Sequence, residues 1–278
     1  MPASGASFFN GRFCSVEFRH WGRRVLGSAL LAGAFIVQAS SGLAEKSADA
    51  AAPVRVLIIG NSYQYYNNSL HNHLRWMVEA ADPALGKRLQ YKSATIGGAA
   101  LDHHNVDWLT TPGRIGVKEP FELVVLQGGS NEPLLPARRA KFRETVIAFD
   151  QVIRSRGGRT ALYMTHAYSP SHPEFKPDNS RLTSDMYSAV GKEVGAKVIP
   201  VGLAFEESYR RHPEIVLHNA DGTHPSLIGT YLAACTAYAA IYGRSPVGNP
   251  YNYHGAIDSK AAALMQKVAQ DVVQAYQR

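Results

Sequence analysis

The chain has 278 residues, 45% hydrophobic and 18% charged, with a formal net charge of +7. That composition suits a protein with a sizeable core and excludes disorder throughout. The basic excess is scattered, and residues 1–44 hold four Arg and only one Glu, leaving about +4 on the remainder; with no nucleic-acid module beside it, a nucleic-acid partner is not expected.

Arg19, Arg23 and Arg24 lead into VLGSALLAGAFIVQA, an uncharged run, and then SSGLAEK, where Gly42 and Ala44 suit cleavage after Ala44. The order basic, apolar, small reads as a secretory signal over 1–44, followed by a linker over 45–52. An exported protein, periplasmic or secreted, is expected, with an uncleaved N-terminal anchor as the alternative. The run is short and rich in Ala and Gly, so a stable membrane span is not expected. Cys14 falls in the signal and Cys235 in an apolar helical pattern. A processed chain would then have no intramolecular disulfide.

From residue 53 onward, apolar runs of strand length alternate with segments of helical period, the mark of an α/β layer architecture. VRVLII (54–59) reads as the first strand. Leu70, Leu74, Met77 and Ala81 recur at helical spacing and predict a helix over 64–81, stopped by DPALG. LQYKSATI (89–96) and FELVVLQ (121–127) are the second and third strands, with a long loop over 98–120 between them. A helix over 136–155 ends at Gly157-Gly158, TALYMTH (160–166) is the fourth strand, and SPSHPEFKPDNS (169–180) is another long loop. A helix over 179–194 precedes the fifth strand, AKVIPV (196–201). Helices over 225–242, with Pro225 in the first turn, and 256–276 complete one domain spanning 53–278. Near-continuous apolar strands separated by helices imply a mostly parallel five-stranded sheet covered on both faces. Its ligands belong at the C-terminal rim of the strands.

The polar strand ends converge on that rim. Strand one ends at Gly60-Asn61-Ser62, strand two at Gly97-Gly98 and strand three at Gln127-Gly128-Gly129-Ser130-Asn131-Glu132, while Asp221-Gly222-Thr223-His224-Pro225 precedes a long apolar helix. A serine hydroxyl needs a base to take its proton and donors for the oxyanion that its attack on an ester creates. Ser62 lies between a turn glycine and a helix N-terminus. Asn131 offers an amide donor, and the glycine pair lets backbone approach a substrate. His224 is the candidate base, and Asp221 is placed to reach its other ring nitrogen across a tight Asp-Gly turn.

GNSY with Ser62, TIGGAAL with Gly98 or Gly97, GGSNE with Asn131 and DGTHPS with Asp221 and His224 follow one another in order over residues 54–245. In this the chain resembles the SGNH hydrolases of the GDSL esterase and lipase superfamily. The resemblance implies a flavodoxin-like three-layer α/β/α sandwich, Ser62 as nucleophile, His224 as base and then acid, and Asp221 as its orienter. It also implies an oxyanion hole made of the Ser62 N–H, the Gly98 N–H and the Asn131 side chain. Two departures stand out: Asn61 replaces the usual aspartate of GDS, and Glu132 replaces the aspartate often found after the third-block asparagine.

There is no G-x-S-x-G elbow around Ser62, no G-x-G-x-x-G after strand one and no G-K-[ST]. The pairs His71/His73 and His103/His104 lack ligand spacing, so neither metal nor cofactor is expected. Tyr63, Tyr65 and Tyr66 are equally read as a sugar-binding floor or as packing. The expected activity is hydrolysis of short acyl esters, acetyl first, on a small molecule or a glycan. A longer-chain lipase or thioesterase is the nearest alternative, and a non-catalytic glycan-binding or acyltransfer accessory protein is another.

Overall fold

A computed structural model describes residues 52–278. The signal expected over 1–44, and all of the expected linker but its last residue, lie outside the described residues. Five strands alternate with nine helices among the described residues: β1 (Arg55–Gly60), β2 (Gln90–Thr95), β3 (Leu123–Leu126), β4 (Arg159–Tyr163) and β5 (Lys197–Ile199), with α1 (Ser62–Tyr65), α2 (Leu70–Ala81), α3 (Pro83–Gly86), α4 (Val106–Thr110), α5 (Pro136–Ser155), α6 (Asn179–Val194), α7 (Val201–Arg211), α8 (Leu227–Tyr242) and α9 (Ser259–Tyr276). The strands form one sheet in the order β2-β1-β3-β4-β5, and every pairing in it is parallel. This is the flavodoxin-like order, whose switch point lies between β1 and β3. Ile59 pairs with Leu126 and Leu126 with Leu162, so three strands leave the core at one level.

Alternation along the strands divides the core into two layers. Val56, Ile58, Leu123, Val125, Ala161 and Tyr163 pack with α2, α7, α8 and α9 on one face. Leu57, Ile59, Val124, Leu126 and Leu162 pack with α5 and α6 on the other. Helix α8 is apolar on every side and carries twelve buried residues, because α2, α9 and the sheet surround it. Truncating a core residue such as Leu232 to Ala is expected to cost about 2–5 kcal/mol. No helix among the described residues is long and apolar enough to cross a membrane.

Several expected boundaries move, and each for a local reason. The single helix expected over 64–81 is broken. Asn67, Asn68 and Ser69 all take positive φ (52°, 69° and 67°), a run that α-helix cannot contain. Two long-range bonds and one local bond hold that break: Asn67 Nδ2 donates to Pro225 O and Thr230 Oγ1, each at 2.9 Å, and His73 Nε2 donates to Asn67 O at 2.7 Å. The fifth strand, expected over 196–201, stops at Ile199, and residues 201–211 form the unforeseen α7, whose Val201, Ala204 and Phe205 face the core. The long loop expected over 98–120 contains the short α4, which Asn105 caps through Trp108 N–H at 2.9 Å. Pro225 lies before helix α8 rather than in its first turn. Ser226 is the cap, accepting from Gly229 N–H at 3.2 Å.

Candidate active site

Ser62 opens α1, and its neighbour Asn61 is the cap, accepting the Tyr63 N–H at 3.1 Å. Gly60 before them has no room for a side chain: a Cβ there would strike the amide oxygens of Gln127 and Gln64. Asn61 and Gln127 form a reciprocal amide pair. The Asn61 N–H donates to Gln127 Oε1 at 2.9 Å and Gln127 Nε2 donates to Asn61 Oδ1 at 2.8 Å. Asn61 Nδ2 also reaches Ala99 O at 3.0 Å, and Gln127 Nε2 bonds Gly128 O. An aspartate at position 61 has no N–H for Ala99 O. The amide that departs from the GDS pattern thus ties the ends of β1 and β3 to the loop after β2.

His224 Nε2 lies 2.8 Å from Ser62 Oγ, and His224 Nδ1 lies 2.7 Å from Asp221 Oδ2. A carboxylate accepts only, so Nδ1 carries the proton and the Nε2 lone pair faces the serine hydroxyl. Asp221 Oδ1 accepts the N–H groups of Thr223 and His224, each at 2.9 Å. Burial by itself would raise the Asp221 carboxyl. The His224 side chain and these two N–H groups outweigh it and hold the group down at about 2. Gly222, with φ +70°, makes the turn, and a Cβ on it would crowd Ser169 and Ser171.

Two clasps register the serine segment against the histidine loop. Tyr63 OH bonds Thr223 Oγ1 at 2.8 Å, and Asn67 bonds Pro225 O, so the anchors flank His224 on both sides. Tyr66 stacks on the His224 ring at 4.1 Å, nearly parallel to it, and Tyr65 stacks on Tyr66 at 5.6 Å. All three tyrosines border the cleft but differ in burial: Tyr63 is buried, Tyr66 half-buried and Tyr65 exposed. His166, three residues beyond the end of β4, is sandwiched between Tyr63 at 4.2 Å and Phe205 at 4.3 Å. Its Nε2–H donates to Thr223 O at 2.9 Å. Burial pushes the His166 imidazole well below its ordinary pKa, with His218 nearby adding to the shift. A neutral ring thus braces the loop that carries Asp221 and His224. Sequence reasoning placed Gln127 on the rim without a role, and it missed His166 and the stacking of Tyr66 on His224; Gln127 and His166 stand just beyond strand ends, whereas Tyr66 follows α1.

An open cleft of about 790 Å³ runs over Ser62 and His224 and is lined by Gly97, Gly98, Asn131, Arg138, Tyr168 and His172, among others. Gly98, with φ +69°, closes the turn in which Ala99 N–H donates to Ile96 O at 3.2 Å. A Cβ on Gly97 would approach Tyr65 OH to 3.1 Å. The two glycines are favoured for different reasons, Gly98 by its left-handed backbone and Gly97 by a tight approach of Tyr65. Asn131 begins a short 3₁₀ turn, Glu132–Leu134. The buried Glu132 carboxylate accepts the Gly129 N–H, and a Cβ on Gly128 would collide with it. Burial pushes the Glu132 carboxyl up to about 7, against the pull of that N–H. The departure at position 132 therefore shapes the loop that presents Asn131.

Among the described residues no group of three or more His, Cys, Asp or Glu is arranged to hold a metal. His71 bonds Ser69 Oγ at 2.7 Å, His73 joins the Trp76–Tyr251–Tyr253 aromatic cluster, His103 lines the cleft and His104 is buried.

No family model matches the sequence, and no curated protein matches it either. Solved structures do. A DUF4886 family protein from Bacteroides uniformis is 22% identical, with 81% of this chain and 96% of that one covered and a TM-score of 0.63. A provisionally assigned SGNH hydrolase from Slackia heliotrinireducens is 19% identical over 68% of this chain and 99% of that one, with a TM-score of 0.55. An acetylxylan esterase from Geobacillus stearothermophilus, in a catalytic-mutant form, is 13% identical over 67% and 93%, with a TM-score of 0.52. At such identities the likeness is one of fold, and function must be argued from the site. The three-layer parallel sandwich of residues 52–278 is the fold of the SGNH hydrolases.

Proposed function

We propose that this protein is a serine ester hydrolase of the SGNH type, acting on short acyl esters, acetyl first, carried by a polar small molecule or a glycan. The hydrogen-bonded chain Asp221–His224–Ser62, at 2.7 Å and 2.8 Å and open to a cleft, carries this reading. Ser62 Oγ attacks the ester carbonyl as its proton passes to His224 Nε2. Asp221 holds the ring and the imidazolium that forms. The oxyanion faces the Ser62 N–H, the Gly98 N–H and the Asn131 amide. The tetrahedral intermediate collapses, the alkoxide leaves with the proton from His224, and an acyl-Ser62 ester remains. Water then gives a proton to His224 and its oxygen to the acyl carbon, which releases the acid and restores Ser62.

Aromatic platforms at Tyr65, Tyr66 and Tyr168 beside polar groups at Arg138, His172 and Glu174 favour a polar alcohol portion over a long alkyl chain. The acetylxylan esterase of the same fold supports acetyl on carbohydrate by analogy. The test is hydrolysis of p-nitrophenyl esters from C2 to C12 by the wild-type and Ser62→Ala proteins. Loss of about 10⁴-fold or more in the variant is expected, with the fastest turnover at C2. Equal rates for the two proteins would sink the enzymatic reading, and a maximum at long chains would replace it with a lipase or thioesterase. We also infer export, from the basic, apolar and small-residue order of residues 1–44. An N-terminus at Glu45 on the exported protein is the expected result.

A further inference from the structure

We propose that Arg138 is the positioning residue that decides which end of the Asn131 amide faces the cleft, an inference that rests on the ester-hydrolase reading of the site. A primary amide turned by half a rotation presents an oxygen instead of an N–H. Facing a developing oxyanion, the wrong end would repel the charge that the right end stabilises. Nothing within residue 131 selects between the two.

Arg138 makes the selection because a guanidinium has donors only. Its Nη1–H donates to Asn131 Oδ1 at 2.8 Å, which turns Nδ2 away from the arginine. Among the described residues no acceptor takes the Nδ2 hydrogens, and Asn131 and Arg138 both line the cleft over Ser62. From below, Glu132 accepts the Gly129 N–H and holds the backbone of the same loop. The backbone and the amide are therefore fixed by separate partners.

The placement of Arg138 runs against local preference. It is the third residue of α5, where the partial positive charge of a helix N-terminus disfavours a cation and where glutamate or glutamine commonly closes a capping box. The next residue is also an arginine, and no acidic residue occupies this turn. Both side chains turn back onto one short segment, Arg138 to the Asn131 amide and Arg139 Nη1 to Pro133 O at 2.7 Å. Arg138 takes part in no ion pair among the described residues. A local rule broken where a reactive loop is held is the pattern expected of a functional position.

The test measures kcat and KM on p-nitrophenyl acetate for Arg138→Met and Arg138→Lys, each made in the wild-type and Asn131→Ala backgrounds. Arg138→Met is expected to lower kcat about 10- to 100-fold, less than the roughly 10²- to 10³-fold loss for removing an oxyanion donor outright, with KM changed by less than about twofold. Lysine keeps a donor and is expected to recover most of the rate. In the Asn131→Ala background Arg138→Met is expected to cost nothing further, the non-additivity of two residues acting as one. Equal losses in both backgrounds, an effect on KM alone, or an Asn131→Ala protein as fast as wild type would each overturn the proposal. Activity surviving in Ser62→Ala would instead overturn the underlying reading of the site. A second readout needs no turnover. In the full-length protein the Asn131 side-chain NH₂ resonances, assigned by their loss in Asn131→Ala, should shift and broaden in Arg138→Met and recover in Arg138→Lys. Unchanged resonances would overturn the proposal whether or not this ester is hydrolysed.

Discussion

Asn61, Gln127 and Glu132, beneath the cleft, are 3%, 1% and 2% exposed and bind one another or the backbone of neighbouring loops. Across the cleft, residues 170–178 are exposed or half-exposed, and their hydrogen bonds are mostly local, such as His172 N–H to Ser169 O at 3.0 Å and Phe175 N–H to His172 O at 3.0 Å. The floor sets atoms that must be placed to a fraction of an ångström, because preorganised donors stabilise charge only in the right geometry. The outer wall meets whatever the reacting ester is attached to. Its backbone bonds are open to water, so it can change at less cost in stability. The Asp221–His224 loop sides with the floor: Thr223 is held by Tyr63 and His166, and Pro225 by Asn67.

That contrast can be broken by experiment. Asp221→Asn keeps the shape but offers Nδ1 of His224 the wrong partner, and kcat is expected to fall about 10³- to 10⁴-fold with the fold intact. A near-normal rate with an unchanged circular dichroism spectrum would remove Asp221 from the mechanism. Gln127→Met leaves the Asn61 N–H without its partner in a dry site, while Asn61 Oδ1 keeps the Tyr63 N–H. Unfolding free energy should drop by about 1–3 kcal/mol, the cost of one orphaned buried group, as read by urea denaturation.

Glu132 sharpens the comparison through pH. Its carboxyl titrates near 7 in the fold and near the ordinary carboxylate range when unfolded, so the folded state binds the extra proton between those values. Stability is therefore greatest below the unfolded value and falls as pH rises through about 7, by roughly 1–3 kcal/mol. Glu132→Gln should flatten that slope in thermal melts taken from pH 4.5 to 8. An unchanged slope would assign the pH dependence to other groups. The smallest effect belongs to the wall. His172→Ala removes the ring that stacks on Tyr168 at 3.9 Å and is expected to raise KM for a glycan ester about two- to fivefold, leaving kcat and stability nearly unchanged. A large loss of kcat there would make the wall part of the catalytic machinery.

Much of the fold was legible because its signals are local. VRVLII alternates between two buried faces, α8 is apolar all round, and each polar block follows a strand or precedes a helix, so one rim follows from the parallel order. The same locality explains what was missed. Leu70, Leu74, Met77 and Ala81 share one helical period, but nothing nearby in the sequence says that residues 66–69 must leave it. The bonds that hold the break reach Pro225 and Thr230, 158 and 163 residues away. Val201, the first residue of α7, reads as the tail of a strand because VIPV is apolar in either state, residues 202–211 carry no element assigned from sequence, and only packing against α8 and α9 decides the helix.

At the site, the sequence by itself determined the order of the chemistry: a serine at a strand end, an asparagine in a glycine turn, and an aspartate and a histidine three residues apart. Residue type and short spacing carry that information. Tertiary structure alone decided that Tyr66 lies flat on His224, that His166 braces Thr223, that Gln127 pairs with the Asn61 amide, and that Arg138 holds the oxygen of Asn131. Each is a directional contact between segments that meet only when the sheet brings its strand ends together. Direction and distance in space, unlike period and composition, leave no mark on the linear chain.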